Sequence, residues 1–322
     1  MSQDASNAAG RGSRLARADG GLGARGLLSV VIERGIEFGL LLAALASVAV
    51  TLGIVFVLVR ESAPFFAHVS LREFLFGTEW TPLFSDPKYG IGPLLSGTFV
   101  TTTIALCVAM PAGTIVAIWL SEYAPHRIRE MVKPVLELIS AVPTVVFGYF
   151  ALTVVTPMLQ SVLARVNVDL PTFNMLGPGI VMGIMIVPYV SSLSEDAMRA
   201  VPMLLREGSY ALGAGRLTTA LRVVFPAALS GIGAAYTLAM SRAVGETMIV
   251  AIAAGQKPTL TANPLESAAT VTAYIVQVAG GDVPHGSIGY QSIFAAGLAL
   301  FVVTLGFNLV GAALRRRFRQ AY

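Results

Sequence analysis

Six long apolar blocks constrain this 322-residue chain more than any other feature. They fall at roughly 36–59, 94–120, 135–159, 176–194, 227–252 and 289–313. A run of ~20 apolar residues crosses a ~30 Å hydrocarbon core. Inside that core each backbone N–H and C=O needs an internal partner, which a helix supplies. Barrel strands would read as ~10-residue alternating segments instead. The chain is 55% hydrophobic and 12% charged, with a mean hydropathy of +0.73, whereas ordinary soluble domains carry about 25% charged residues. The expected fold is an all-α integral membrane protein with six transmembrane helices.

The formal charge of +4 is not a nucleic-acid signature, because of where the cations lie. Sixteen of the 22 Lys and Arg fall in the N-terminal tail, the second-to-third loop, the fourth-to-fifth loop and the C-terminus, and five fall in the alternate segments. The remaining one, Arg242, lies inside an apolar block. Cationic loops stay in the cytoplasm, so both termini are expected there, in a bacterial inner membrane, and an even number of spans follows. The expected organisation is a basic tail over 1–35, a first span and external loop over 36–92, a transmembrane core over 93–314 and a short basic tail over 315–322. Residues 1–25 are rich in Gly, Ala, Ser and Arg and are expected to be disordered. The first apolar run is longer than the h-region of a cleaved leader. The single cysteine, Cys107, allows no intrachain disulfide.

The external loop carries Phe65, Phe66, Phe74, Phe76 and Trp80. They suit a helix lying in the membrane interface, which either anchors the loop or meets an external partner. Thr98, Thr101, Thr102 and Thr103 cluster at the outer end of the second span. Such hydroxyls bond to carbonyls and neighbouring helices or, at Thr98 and Thr102, line an anion path. Pro143 in the third span and Pro188 in the fourth predict kinks. The segment 266–279 predicts a short external or re-entrant helix.

Residues 195–226 form a polar, glycine-punctuated element on the cytoplasmic side. Pro202 suits a first helical position. Met203, Leu204 and Leu205 supply an apolar patch, and Gly213 and Gly215 can end the helix with positive φ. A helix this short is marginal alone in water, so it needs a partner surface, either its own bundle or another chain. Its spacing resembles the EAA loop of binding-protein-dependent ABC importers: Glu-Ala-Ala, three residues, Gly, nine residues, Ile, one residue, Leu-Pro. Glu207, Gly213 and Pro226 keep that spacing, with Gly208 and Ser209 for the alanines, Val223 for Ile and Phe225 for Leu. The resemblance implies a coupling helix that docks into an ATPase, with Glu207, Gly213, Pro226, Leu204 and Leu205 as its coupling residues.

The segments WTPLFSDPKYGIGPLLSGTFVTTTIA, IWLSEYAP, SAVPTVVFGYFALTVVTP and MSRAVGETM extend the resemblance over nearly the whole chain. They are similar to the phosphate permeases of the PstC family, and the last motif also to the sister PstA family. The resemblance implies a type I ABC importer permease fold and alternating access. It also implies a PstA-like second permease, a PstB-like ATPase dimer that binds ATP and Mg, and a PstS-like external binding protein. No cofactor is expected in this chain, which has no GxxxxGK[ST] phosphate loop.

Arg242 and Glu246 lie four residues apart in the fifth block, Arg242 16 residues past Pro226. That is about 24 Å along a helix at ~1.5 Å per residue. A central arginine is costly and usually functional. Three readings stand: the pair neutralises itself, Arg242 snorkels to the outer interface, or the guanidinium receives an oxyanion through its planar fork. In the last, Glu246 would hold Arg242 when the anion has left. The alternatives are a PstA-like sister subunit, a permease for another oxyanion, or an ion-coupled secondary transporter, the last of which needs several intramembrane carboxylates or histidines. Here His68, His126 and His285 all fall in loops. No nucleophile–base set or metal-ligand cluster points to an enzyme.

Overall fold

The fourth apolar block forms the central helix of the bundle. In the computed structural model, which describes the backbone of residues 4–82 and 84–318 and the side chains of 32–82, 84–313, 315 and 316, it runs from Leu176 to Arg199 and is the most buried span. Its glycines explain the depth. A Cβ at Gly179 would stand 2.8 Å from the side chain of Ile104, and one at Gly183 2.7 Å from Val108. The two glycines are four residues apart, so one small-residue stripe lets this helix lie directly on the second span.

The helices, in chain order, are α1 (Ile32–His68), α2 (Leu71–Phe76), α3 (Gly92–Tyr123), α4 (His126–Ser140), α5 (Thr144–Val166) and α6 (Leu176–Arg199). There follow α7 (Met203–Ala211), α8 (Arg216–Ala227), α9 (Leu229–Val244), α10 (Met248–Ala253), α11 (Val271–Ala279) and α12 (Ile288–Ala313). Among the described residues five of these (α1, α3, α5, α6 and α12) are long and apolar enough to cross a membrane, and the bent pair α8–α9 brings the number to six where it is counted as one span. There is no strand among the described residues, only an isolated β-bridge between Trp80 and Tyr89. The chain divides into a unit ending at Val57 and a unit from Leu58 onward. Nearly all the described apolar side chains of the first unit are exposed, Leu40 at 67% for instance, with Val55 half-buried. The disorder expected for 1–25, and most of the tails 1–35 and 315–322, lie outside the residues whose side chains are described.

The second unit holds three principal layers of apolar contact. At one end Phe65, Phe74, Trp80, Tyr89, Leu94, Val271 and Tyr274 form an aromatic cap. In the middle Ala105, Ala109, Met182, Met185, Ile186, Val190, Ala239 and Ala243 join α3, α6 and α9. At the far end Ala117, Met198, Val201, Val224, Ala228 and Ile232 close the bundle, with Leu205 of α7 packed on them.

Four expectations are corrected. Most of the singled-out loop aromatics do not lie along an interface: Phe65, Phe74 and Trp80 are buried, and of the five only Phe76 is strongly exposed, at 78%. The Trp80–Tyr89 bridge folds the loop back, so edge-to-face ring pairs become its core. The third span starts at Thr144, not 135. Pro143 disfavours helix in the residue before it, and α4 becomes a separate amphipathic helix. The fifth block is not one helix over 227–252: α9 ends at Val244, and Gly245–Thr247 separates it from α10. Nor does that helix start at Pro226, because α8 already spans 216–227 and bends 72° into α9 at Ala228.

Candidate functional site

Two groups of sequence-predicted residues sit at different depths of the bundle. The first belongs to α7. Pro202 precedes the helix and Met203 begins it. Gly213 has φ +79°, the left-handed geometry that glycine tolerates, and terminates the turn after α7. Gly215 does not: its φ is −75° with extended ψ, because it prepares the entry to α8. Leu204 is 78% exposed, while Leu205, about 100° further round the helix, packs into the far-end cluster. Glu207 is exposed. Pro226 lies in the last turn of α8, two residues before the bend at Ala228. The α7 helix therefore presents an apolar and acidic outer face on a seated inner face.

Ion pairs missed in the sequence seat it. Arg206 of α7 reaches Glu122 at the end of α3 through NH2 at 3.0 Å and Nε at 3.4 Å. The same guanidinium donates to the carbonyls of Val201 at 2.7 Å and Met198 at 2.8 Å. Only 11% of the Arg206 side chain and 4% of Glu122 is exposed. The α7 helix is thus tied to the ends of α3 and α6 by one fork. Behind it, the fully buried Glu195 receives Lys133 Nζ at 2.9 Å, with Arg199 at 3.5 Å and Arg129 at 3.9 Å. Lys133 also meets Asp196 at 2.7 Å, which binds α4 to α6. Burial works against the Lys133 ammonium, but hydrogen bonds and charge from Asp196 and Glu195 outweigh it and raise its pKa above the usual lysine value. The signal for these pairs was present as acids beside basic runs, but spacing does not say which acid meets which base.

The second group lies higher. Arg242 is in the last turn of α9, between Ala239 and Ala243 of the middle cluster. Its guanidinium stands 5.9 Å from the ring centroid of Tyr189 on α6, a cation–π contact, and the residue is exposed. Among the described residues no carboxylate lies within ion-pair distance of it. The same-face argument for Arg242 and Glu246 assumes one continuous helix, and the break at Gly245 removes that condition.

Glu246 works as a cap here. Its Oε1 accepts from the N–H of Met248 at 3.2 Å and of Ile249 at 3.4 Å, at the start of α10. Its carbonyl accepts the Thr272 hydroxyl at 2.7 Å. Thr98 donates to the Leu94 carbonyl at 2.8 Å and accepts from Val271 N–H at 3.1 Å. Thr98 and Glu246 are therefore brought together as two anchors of α11. Thr102 is buried, and its hydroxyl has no partner among the described residues. Sequence reading missed Tyr189, and also Asn308, whose side chain receives the Ser241 hydroxyl at 2.9 Å across α9 and α12. An amide in an apolar block was the available signal.

A bundle of long apolar helices, a short helix seated on its far end and an arginine beside the middle cluster are the features to set against known proteins. The family described as the binding-protein-dependent transport system inner membrane component matches residues 109–320, and the chain belongs to that family. It is 37% identical over 266 residues to a probable ABC transporter permease protein, YqgH, of Bacillus subtilis, covering 82% of this chain and 84% of the relative. It is 34% identical over 246 residues to the phosphate transport system permease protein PstC 1 of Mycobacterium tuberculosis, covering 71% and 73%. The fold is similar to that of a bacterial alginate ABC transporter, with TM-score 0.60 at 17% identity over 88% of this chain and 96% of that one. A chain of the MetNI methionine ABC transporter in inward-facing form gives TM-score 0.53 at 15% identity over 72% and 95%. The chain has the type I ABC importer permease fold and is a multi-pass membrane protein of this class.

Proposed function

We propose that the chain is one permease subunit of an ATP-driven phosphate importer of the inner membrane, working by alternating access. The observation that carries this reading is Arg242: a guanidinium at mid-depth of the bundle, exposed and without a carboxylate partner among the described residues. An arginine kept there at a cost of ~2.5–3.5 kcal/mol on insertion scales is suited to an oxyanion, which its fork binds through two parallel charge-assisted hydrogen bonds. Contact with the Tyr189 ring holds the arginine without neutralising it. Relatives named as phosphate permeases support phosphate as the anion.

In this reading a PstS-like protein delivers the anion from outside, and a PstA-like permease completes the pathway. A PstB-like ATPase pair, which binds ATP and Mg, receives α7 through Leu204 and Glu207. Movement of α7 passes through Arg206 to α3 and α6, and through Pro226 and the 72° bend to α9. Both termini then lie in the cytoplasm. Thr102, whose hydroxyl has no partner among the described residues, lines the path. Thr98 and Glu246 shape it by holding α11. In vesicles carrying the assembled complex, Arg242→Gln should abolish uptake of labelled phosphate while leaving membrane insertion and ATPase retention intact. Full uptake by this variant would remove the arginine from the pathway. Sulfate and molybdate, offered to the parent complex, test the choice of anion.

A further inference from the structure

A cleft of about 1010 Å³ opens beside α7, between the ends of α3 and α6 and the start of α8. Four arginines line it: Arg129, Arg199, Arg206 and Arg216. Two are already engaged. Arg206 holds Glu122 and two carbonyls, and Arg129 donates to the carbonyls of Leu120 and Ala124. The other two face outward. Arg199 touches Glu195 at 3.5 Å but leaves 51% of its side chain exposed. Arg216 is exposed, and among the described residues no carboxylate is within ion-pair distance of it. Tyr123 and Tyr210, 38% and 40% exposed, add two phenols at the wall. Glu122 is the one acid in the lining, and Arg206 occupies it. The cleft therefore offers exposed donors of one sign, with Arg199 only partly engaged by Glu195 and Arg216 without a carboxylate partner among the described residues.

We propose that this cleft receives a carboxylate-bearing segment of the ATPase partner. The inference rests on the reading that α7 couples the chain to an ATPase, and it adds the chemistry of a second contact. Volume argues against a single small anion, because sites for small molecules run to ~300–1,000 Å³ and this cleft reaches the top of that range while standing open. Position argues for a protein segment. On the same end of the molecule α7 exposes Leu204 at 78%, and Leu212 just beyond it is 90% exposed, so an apolar anchor adjoins a basic wall. Interfaces combine a desolvated apolar centre with a charged rim that sets orientation and register. Arg199 and Arg216 would grip an Asp or Glu side chain by forked hydrogen bonds, and the exposed Glu207 would be steered away from the same acid.

The test uses the assembled complex in vesicles. A benzoylphenylalanine photocrosslinker replaces Ala214, which lines the cleft. The crosslinked peptide should come from the ATPase and contain Asp or Glu. Separately, Arg199→Glu together with Arg216→Glu should lower ATPase retention about tenfold at low salt, with the loss shrinking at high salt as screening weakens the parent contact. The paired Arg→Lys changes should keep most of the retention. Crosslinks confined to lipid, or to ATPase peptides without an acid, would overturn the proposal, as would retention unchanged by the double reversal. Arg216-dependent binding of inorganic phosphate to the permease would also overturn it, in favour of a small-anion site. If the parent chain retains no ATPase under any condition, the coupling reading itself fails, an outcome distinct from a failure confined to the arginines.

Discussion

Arg206 shows how a single side chain can join three elements. Its guanidinium is nearly buried and meets a nearly buried carboxylate, so each partner depends on the other for its solvation. Removing one leaves an uncompensated buried charge at a cost of about 3–5 kcal/mol, whereas replacing both with apolar groups is far milder. Arg206→Met and Glu122→Leu should each lower the unfolding midpoint of the purified protein markedly, and the double variant should recover most of the loss. A double variant as unstable as the summed singles would show that the pair does not act as a unit. Arg242 has the opposite setting: exposed, stacked near one ring and available. Both arginines were visible as letters, but only Arg242 could be singled out by position, since an arginine in an apolar block is conspicuous. Arg206 lies among other cations, and its role depends on Glu122, 84 residues away.

At the scale of elements, α3 and α6 owe their contact to glycine. Gly183→Leu would place atoms where Val108 and the Ala105 carbonyl already stand, the latter 2.8 Å from a Cβ at Gly183. Overpacking of this kind costs about 1–3 kcal/mol or more; the yield of folded protein from membranes should fall, and Gly183→Ala should be milder. The α7 helix makes a sharper comparison because two adjacent leucines meet different surroundings, one solvent and one the bundle. Leu204→Asp should leave the fold intact and reduce ATPase retention. Leu205→Asp, which sets a charge where half-buried Leu205 packs against the far-end cluster, should lower the thermal midpoint of the permease itself. Equal thermal midpoints for the two variants would contradict the assigned faces. The helix over 203–211 was legible because Pro202 and Gly213 bracket an apolar run. The breaks at 141–143 and 245–247 were not, because proline and glycine are common in membrane helices and most of them sit inside unbroken ones, as Pro188 does here.

For the whole molecule, the alternation of cationic segments predicts that α7 and both termini face the cytoplasm and that α2 and α11 face outward. In a Cys107→Ser background, Gly208→Cys should react with an impermeant maleimide only from the cytoplasmic side, and Asn263→Cys only from the outside. Reversed labelling would invert the scheme. The amino-acid sequence by itself determined that this chain is a bundle of membrane helices, that 203–211 is a short helix bracketed by Pro202 and Gly213, and that one arginine falls within an apolar block. These follow from local properties: hydropathy over twenty residues, charge in short loops, and the spacing of Glu207, Gly213 and Pro226. Only the tertiary structure decided that Arg242 and Glu246 part at Gly245, that Glu246 and Thr98 hold α11, and that Arg206 and Glu122 tie α7 to the bundle. Those contacts turn on backbone breaks and on partners dozens of residues apart, where direction in space, and not spacing along the chain, sets which groups meet.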